Sequence, residues 1–207
     1  MTLEKETTVR TSSRLQSKRD ESQPKVVKKT KAKAPKKAKV TEEKEDSEED
    51  VEDEEKPAKL KFTVGEKITS LTLLNEEEEP VDLLAEAETH GLVIFFYPRA
   101  STPGCTVQGC LFRDEFSKFE EHGYKVFGCS ADSPKSQKNF RVKQNFNYPL
   151  LSDKEFKLIG AIGAKAPGNK VTRSHIVIGK GGVLLDTKIK ISPKESAAEA
   201  LSFIESL

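Results

Sequence analysis

The run Leu92-Val93-Ile94-Phe95-Phe96-Tyr97 is six consecutive apolar, β-favouring residues closed by Pro98. It does not alternate with polar positions, so neither face of such a strand can be turned to water, and it belongs in the middle of a sheet. A chain that covers both faces of a central strand needs helices in two outer layers. The flanking residues supply them. Behind Pro103, which suits a first helical position, Val107, Cys110, Leu111, Phe112, Phe116 and Phe119 recur at three- and four-residue spacings and predict an amphipathic helix over 103–121. A short strand is predicted over 71–74, an acidic turn over 75–80 and a strand end or helical turn over 81–88. Beyond the long helix come a strand over 124–129, a helix over 133–144 opened by Ser-Pro, a short strand over 148–151 and a helical segment over 153–159. Strands over 172–178 and 183–186 flank Gly179-Lys180-Gly181-Gly182, a hairpin turn, and an amphipathic helix over 193–206 ends the chain. The pattern predicts an α/β three-layer sandwich around a central mixed sheet, compatible with a thioredoxin-like fold, without internal repeats.

Composition limits that fold to part of the chain. Of 72 apolar residues among 207, residues 58–207 hold 61, together with all 12 glycines. Residues 1–57 carry 15 Lys+Arg and 15 Asp+Glu with no aromatic residue and no glycine, too little apolar surface to offset chain entropy. One folded domain over 58–207 behind a disordered tail over 1–57 is expected. The tail is basic to residue 40 (13 basic against 4 acidic) and acidic over 41–57 (2 against 11). Within the stretch PKVVKKTKAKAPKKAKV over 24–40, Pro35-Lys36-Lys37-Ala38-Lys39-Val40 resembles a monopartite nuclear-import signal, and RTSSRLQSKR over 10–19 adds a second basic cluster. An import receptor is the expected partner and the nucleus the expected location. The other readings are a merely solvated tail and weak, salt-sensitive contact with nucleic-acid phosphates. Base-specific recognition is not expected from a segment without aromatic residues whose acidic half competes for its basic half. Ser47, in EDSEED, resembles an acidophilic kinase site. No apolar run approaches the ~20 residues of a membrane helix, and no apolar segment follows Met1-Thr2-Leu3-Glu4-Lys5, so neither a membrane span nor a secretory signal is expected. In a chain of that kind three cysteines point to transient, functional thiol chemistry rather than a disulfide framework.

Cys105 sits where such chemistry is favoured. The loop Pro98-Arg99-Ala100-Ser101-Thr102 carries the chain from the central strand to the long helix and puts Cys105 in the first helical turn. Unpaired N–H groups and the helix dipole there favour a thiolate, and α/β sites open at the carboxyl ends of sheet strands. The alternative, cysteine as a small apolar filler, fits this polar loop poorly.

The spacing Pro98-x-x-x-Thr102-x-x-Cys105 resembles the active-site motif of peroxiredoxins, and residues 95–110 (FFYPRASTPGCTVQGC) resemble the bacterioferritin-comigratory, or Q, class. The likeness covers roughly residues 60–205, through Phe112-Arg113-Asp114, Ser130-Ala131-Asp132-Ser133, Leu151-Ser152-Asp153 and Arg173-Ser174-His175. With its basic tail the chain resembles the fungal nuclear thiol peroxidases of that class. The resemblance implies a thiol-specific peroxidase acting on hydrogen peroxide and alkyl hydroperoxides, in antioxidant defence, with no cofactor. It makes Cys105 the peroxidatic residue that becomes a sulfenic acid. Thr102 and Arg173 would hold thiolate and peroxide, Pro98 would shape and shield the pocket, and the N–H groups of Gly104 and Cys105 would complete the oxygen site. It also implies that Cys110 resolves the sulfenic acid as an intramolecular Cys105–Cys110 disulfide, reset by thioredoxin, in a chain that works as a monomer. Helical residues five apart lie about 8.6 Å apart at Cα, beyond the ~7 Å that a disulfide spans, so the helix must unwind first. Gly109, with about 1 kcal/mol lower helix propensity than alanine, is expected to ease that melting.

Without the resemblance, Arg173 reads as a surface ion-pair partner. Cys129, ending an apolar strand, reads as a buried residue without redox role. His90, His122 and His175 are scattered and no C-x-x-C pair occurs, so no metal site is expected. His175 and Gly179 stand where the Q class often shows Thr and Asp, away from the site that Pro98, Thr102, Cys105 and Arg173 would form. Two other functions compete. A general disulfide oxidoreductase typically uses C-x-x-C, whereas Cys105 and Cys110 leave four residues between them. A redox-sensing or chromatin-associated interaction module would use the tail as its contact.

Overall fold

The computed structural model describes residues 60–207. The tail expectations (disorder, import signal, Ser47) fall outside the described residues. In chain order the elements are β1 (Thr72–Leu74), β2 (Pro80–Asp82), α1 (Leu83–Thr89), β3 (Gly91–Phe96), α2 (Pro103–Asp114), α3 (Phe116–Glu121), β4 (Tyr124–Ser130) and α4 (Pro134–Gln144). There follow β5 (Leu150–Ser152), α5 (Lys157–Ala161), β6 (Lys165–Ala166), β7 (Lys170–Val171), β8 (Ser174–Ile178), β9 (Leu184–Ile189) and α6 (Ser196–Glu205).

Seven strands form one mixed sheet in the order β2-β1-β5-β4-β3-β8-β9. β3 is buried along its whole length, parallel to β4 with Ile94 opposite Phe127, and antiparallel to β8 with Ile94 opposite Ile176. Its side chains alternate between two cores. Leu92, Ile94 and Phe96 pack with Leu83 and Ala87 of α1 and Leu158 and Ile159 of α5. Val93, Phe95 and Tyr97 pack with Phe112, Phe119, Phe140 and Leu201 from α2, α3, α4 and α6. A fully buried large apolar side chain is worth roughly 1.5–3 kcal/mol, so each face of β3 is held by its own helical layer. This is the three-layer sandwich expected from the sequence.

Local chemistry sets the ends of the elements. Asp82 caps α1, its Oδ1 accepting from the N–H groups of Leu84 (2.8 Å) and Ala85 (3.2 Å). The segment read as a strand end or helical turn is therefore both, β2 and then α1. In the acidic turn, Asn75 Oδ1 accepts from Glu77 and Glu79 N–H, and buried Glu76 pairs with Arg141 while accepting from Leu150 N–H at 2.7 Å. Asp153 Oδ1 and Oδ2 accept from the N–H groups of Lys157 and Ile159, both at 2.8 Å, so that aspartate precedes α5 and the helix begins later than predicted.

Two further differences have physical causes. The helix predicted over 103–121 is broken at Glu115 (φ −96°, ψ 5°) into α2 and α3. In a straight helix residues 112 and 119 stand about 10 Å apart along the axis. The bend brings their rings within 5.7 Å, with Phe112 also stacked on Phe95 at 4.4 Å. The segment after α5, unassigned from the sequence, folds into the two-stranded sheet β6–β7, turned by Gly168 and Asn169 at φ 73° and 51°. The hairpin between β8 and β9 forms as predicted, with Gly181 and Gly182 at φ 93° and 86°.

Because Phe112 is fully buried between two aromatic neighbours, Phe112→Ala is expected to lower unfolding free energy by ~3–5 kcal/mol in urea titrations. A change below about 1 kcal/mol would show that the α2 layer does not depend on this stack.

Candidate active site

The loop leaving β3 is tied down before it reaches α2. Tyr97 is buried, and its hydroxyl donates to Gln137 Oε1. Gln137 Nε2 in turn donates to Ser130 Oγ and Leu151 O, both at 2.9 Å. Asp132 Oδ2 accepts from Ser130 Oγ (2.8 Å) and from the N–H of Ala100 (2.7 Å), which fixes the loop to the end of β4. Ser101 turns the chain at φ 61°, and Thr102 enters α2 as its N-cap, followed by Pro103.

Cys105 is the third residue of α2 and is 1% exposed. The bond from Thr106 N–H to Thr102 O, 2.9 Å, is the first into the helix, so the N–H groups of Gly104 and Cys105 are left without helical partners. Arg173 arrives from across the sheet. β8 runs antiparallel to β3 with Ser174 opposite Phe96, so Arg173, one residue ahead of β8, comes level with the carboxyl end of β3 where the loop to α2 begins. Its Nη2 donates to Cys105 Sγ at 3.5 Å and its Nη1 to Gln108 Oε1 at 2.6 Å. One planar guanidinium thus spans two residues on the same side of one helical turn. Gly104 allows this, because a Cβ there would stand 3.2 Å from Arg173 Nη2.

The other expected site residues are placed as follows. Thr102 is half-buried and its Oγ1 donates to Arg99 O at 3.0 Å rather than to the sulfur. Pro98 is exposed on the loop. Cys110 is half-buried on α2, its Sγ 3.9 Å from Gln144 Oε1. Cys105, Cys110 and Cys129 are all free thiols, and α2 is helical through the first two. Gly109 has a packing reason of its own, because a Cβ there would stand 2.5 Å from Phe146 Cζ. Gly109→Ala would therefore push on Phe146 and not report helix melting alone. Cys129 is fully buried, and burial, with Asp153 nearby, holds its thiol well above the usual range.

Gln108 and Gln137 were not singled out from the sequence, and Asp132 stood there only within the Ser130-Ala131-Asp132-Ser133 motif, without a role. Gln108 had a local signal in its position three residues after Cys105, whereas Asp132 and Gln137 meet the loop only through the sheet. Clefts of about 480 Å³, beside Val81, Phe116 and Lys125, and about 220 Å³, beside Leu73 and Lys154, lie elsewhere, so cavity size does not locate this site. Among the described residues no three His, Cys, Asp or Glu side chains cluster as metal ligands, and no helix is long and apolar enough to cross a membrane.

A thiol in the first turn of a helix, addressed by an arginine from the neighbouring antiparallel strand of a thioredoxin-like sheet, defines a thiol-based redox enzyme. The AhpC/TSA family model matches residues 64–187. The chain is 45% identical over 157 residues to peroxiredoxin bcp1 of Schizosaccharomyces pombe, covering 72% of this chain and 80% of the relative. It is 35% identical over 150 residues to the chloroplastic peroxiredoxin Q of Sedum lineare, covering 71% and 80%. Among solved structures, peroxidoxin BcpB from Mycobacterium tuberculosis superposes with a TM-score of 0.65 at 31% identity, covering 70% of this chain and 98% of that one. The bacterioferritin comigratory protein of Xanthomonas campestris gives 0.61 at 31%, covering 66% and 90%. The chain belongs to the AhpC/TSA family, among the peroxiredoxins. Membership carries thiol peroxidase activity as its class of reaction.

His175 lies buried on the same face as Val177, and burial holds its imidazole down to about 4; Asp186 acts in the opposite sense and Lys188 adds to the lowering. The unfolded chain, titrating near 6.5, takes up this proton first. The stabilisation is therefore complete above about pH 6.5 and lost as pH falls toward 4, by on the order of 3 kcal/mol. Asp153, whose carboxyl burial raises, acts with the opposite sign. Denaturant titrations at pH 4 and pH 7 should show a difference smaller by roughly 2–3 kcal/mol in His175→Asn than in the parent. An identical difference in both proteins would mean that His175 is not held neutral.

Proposed function

We propose that the chain is a thioredoxin-dependent peroxidase that reduces hydrogen peroxide and alkyl hydroperoxides through an atypical two-cysteine cycle. The observation that carries this reading is the guanidinium of Arg173, bonded at once to Cys105 Sγ and to Gln108. In the first step the Cys105 thiolate attacks the terminal, hydrogen-bearing oxygen of the hydroperoxide. An S–O bond forms and the O–O bond breaks. Cys105 is oxidised to a sulfenic acid, and the departing alkoxide or hydroxide takes a proton from solvent to leave as alcohol or water. Charge spreads from sulfur onto both oxygens during this step, and a donor fixed beside the sulfur stabilises it. The unpartnered N–H groups of Gly104 and Cys105 add to that field. Thr102 Oγ1, its own hydrogen committed to Arg99 O, can accept a hydrogen bond from the peroxide O–H and so aim the oxygen at the sulfur. Pro98, where the chain leaves β3, shapes the loop side of the site. Alkyl substrates are supported by the Xanthomonas campestris relative, whose structures were solved for its alkyl peroxide reduction activity.

In the second step the Cys110 thiol attacks the sulfenic acid. An S–S bond forms within the chain and water leaves, after which a dithiol such as thioredoxin reduces the disulfide. The first turns of α2 must unwind for this, by the helix distances above. With an internal resolving thiol no second subunit is required, and a monomer suffices. One equivalent of hydroperoxide added to reduced protein should give a Cys105–Cys110 disulfide by peptide mapping, and Cys110→Ser should instead hold a sulfenic acid at Cys105. Peroxide consumed with a different linkage would remove Cys110 from its role, and an unreacted Cys105 would remove the cycle.

The basic tail supports a nuclear site of action through an import receptor. Residues 1–57 fused to a fluorescent reporter should concentrate it in nuclei, and replacing Lys36, Lys37 and Lys39 by alanine should abolish that. A reporter that stays evenly distributed would leave the tail to contacts with nucleic-acid phosphates or to none.

A further inference from the structure

From the sequence His175 lies away from the site, and the cycle above does not use it. Three hydrogen bonds nevertheless connect it to Arg173. Arg173 Nη1 donates to Gln108 Oε1 (2.6 Å), Gln108 Nε2 donates to Ser196 Oγ (3.0 Å), and Ser196 Oγ stands 3.1 Å from His175 Nδ1. Gln108, Ser196 and His175 are all fully buried, so water does not compete for these bonds.

The direction of the chain follows from what each group can give. A guanidinium only donates, so Gln108 must turn its oxygen to Arg173 and its amide N–H to Ser196. A side-chain amide distinguishes its two ends only by what they meet. If Ser196 donated its hydrogen to Gln108, the amide would be drawn round and its NH2 would face Arg173, donor against donor. An acceptor on the far side of Ser196 prevents this. His175 Nδ1 takes the hydroxyl hydrogen, which leaves Ser196 Oγ to accept from Gln108. His175 is thereby assigned as neutral with its hydrogen on Nε2, an atom without a hydrogen-bond partner among the described residues. Across the strands His175 stands opposite Phe95 of β3 and Lys188 of β9, the charges acting on it are Asp186 and Lys188 of β9, and Ser196 of α6 is bonded to it, with Gln108 and then Arg173 beyond Ser196.

We propose that Ser196 and His175 are positioning residues that set the polarity of Gln108 and thereby hold the Arg173 guanidinium across Cys105 Sγ. The proposal rests on the peroxidase reading and names two residues, one in α6 and one in β8, that act on the reaction without touching sulfur or substrate.

The test compares two reactions of Cys105 in the full chain: single-turnover oxidation by hydrogen peroxide, and alkylation by iodoacetamide read at Cys105 by peptide mapping. Oxidation builds charge on the oxygens that Arg173 faces, and alkylation does not. Ser196→Ala and His175→Leu are each expected to slow oxidation by ~10–100-fold while alkylation changes by less than about threefold. His175→Asn, which keeps an acceptor where Nδ1 stands, is expected to recover most of the oxidation rate lost in His175→Leu. Because all bonds lie in one chain, the Ser196→Ala, His175→Leu double variant should be about as slow as either single one. Oxidation within twofold of the parent in both single variants would overturn the proposal. So would a parallel fall of both reactions and of Tm in all three, His175→Asn included, which is the signature of lost packing. A parent protein that does not react with peroxide at Cys105 would overturn the peroxidase reading itself, a result the variant-to-parent ratios cannot imitate.

Discussion

The burial of β3 on both faces is the constraint from which the rest of the molecule follows. Six apolar residues in a row cannot border water on either side, so helices must cover the sheet above and below. What remains open is the carboxyl end of the strand. There the chain turns at Pro98 and Ser101 and enters α2, and there the antiparallel neighbour β8 brings Arg173 level with the turn. Thiol and guanidinium come from positions 68 residues apart, yet the register of β8 on β3 suffices to bring them together.

In the proposed cycle α2 carries two demands that oppose each other. In the reduced state it must be a helix, because Cys105 is presented to Arg173 by the first turn and Gln108 reaches the same guanidinium one turn on. For Cys110 to meet Cys105 that helix must come apart. Its middle is held from outside the helix: Tyr148 OH donates to Gly109 O at 2.7 Å, Phe146 fits against the bare Gly109 Cα, Arg113 reaches Gln144 O at 2.7 Å, and buried Gln108 is bonded to Arg173 and Ser196. At ~0.5–1.5 kcal/mol for each net hydrogen bond, these are what an opening of the first turns has to give up. The bend at Glu115 confines the cost, since α3 and its buried Phe119 form a separate helix.

Much of this was legible in the residues. The unbroken run of β3, the Pro-rich loop and a cysteine behind it identify a strand, a turn and a thiol in the first turn of a helix from local pattern, and the family likeness draws Arg173 beside it. The break at Glu115 was not legible, because the apolar spacing runs through it and the cause is the stacking of Phe119 on Phe112. Gly109 read as a weak point in a helix, and only the ring of Phe146 shows it to be a place of close approach. The part played by Asp132 and Gln137 depends on which strand ends lie side by side, information that no window of sequence holds. His175 read as a departure from a family pattern; its bonds to Ser196 and, through Gln108, to Arg173 need the packing of α6 on the sheet.

The central claim is that one helix presents the reactive thiol when reduced and opens when oxidised. Amide hydrogen exchange, followed by mass spectrometry on the full chain before and after one equivalent of hydroperoxide, tests it most directly. The account predicts that peptides spanning residues 103–112 lose protection on oxidation and regain it on reduction by a dithiol, while those of β3 and β8 stay protected throughout. Equal protection of residues 103–112 in the reduced and oxidised protein would contradict it.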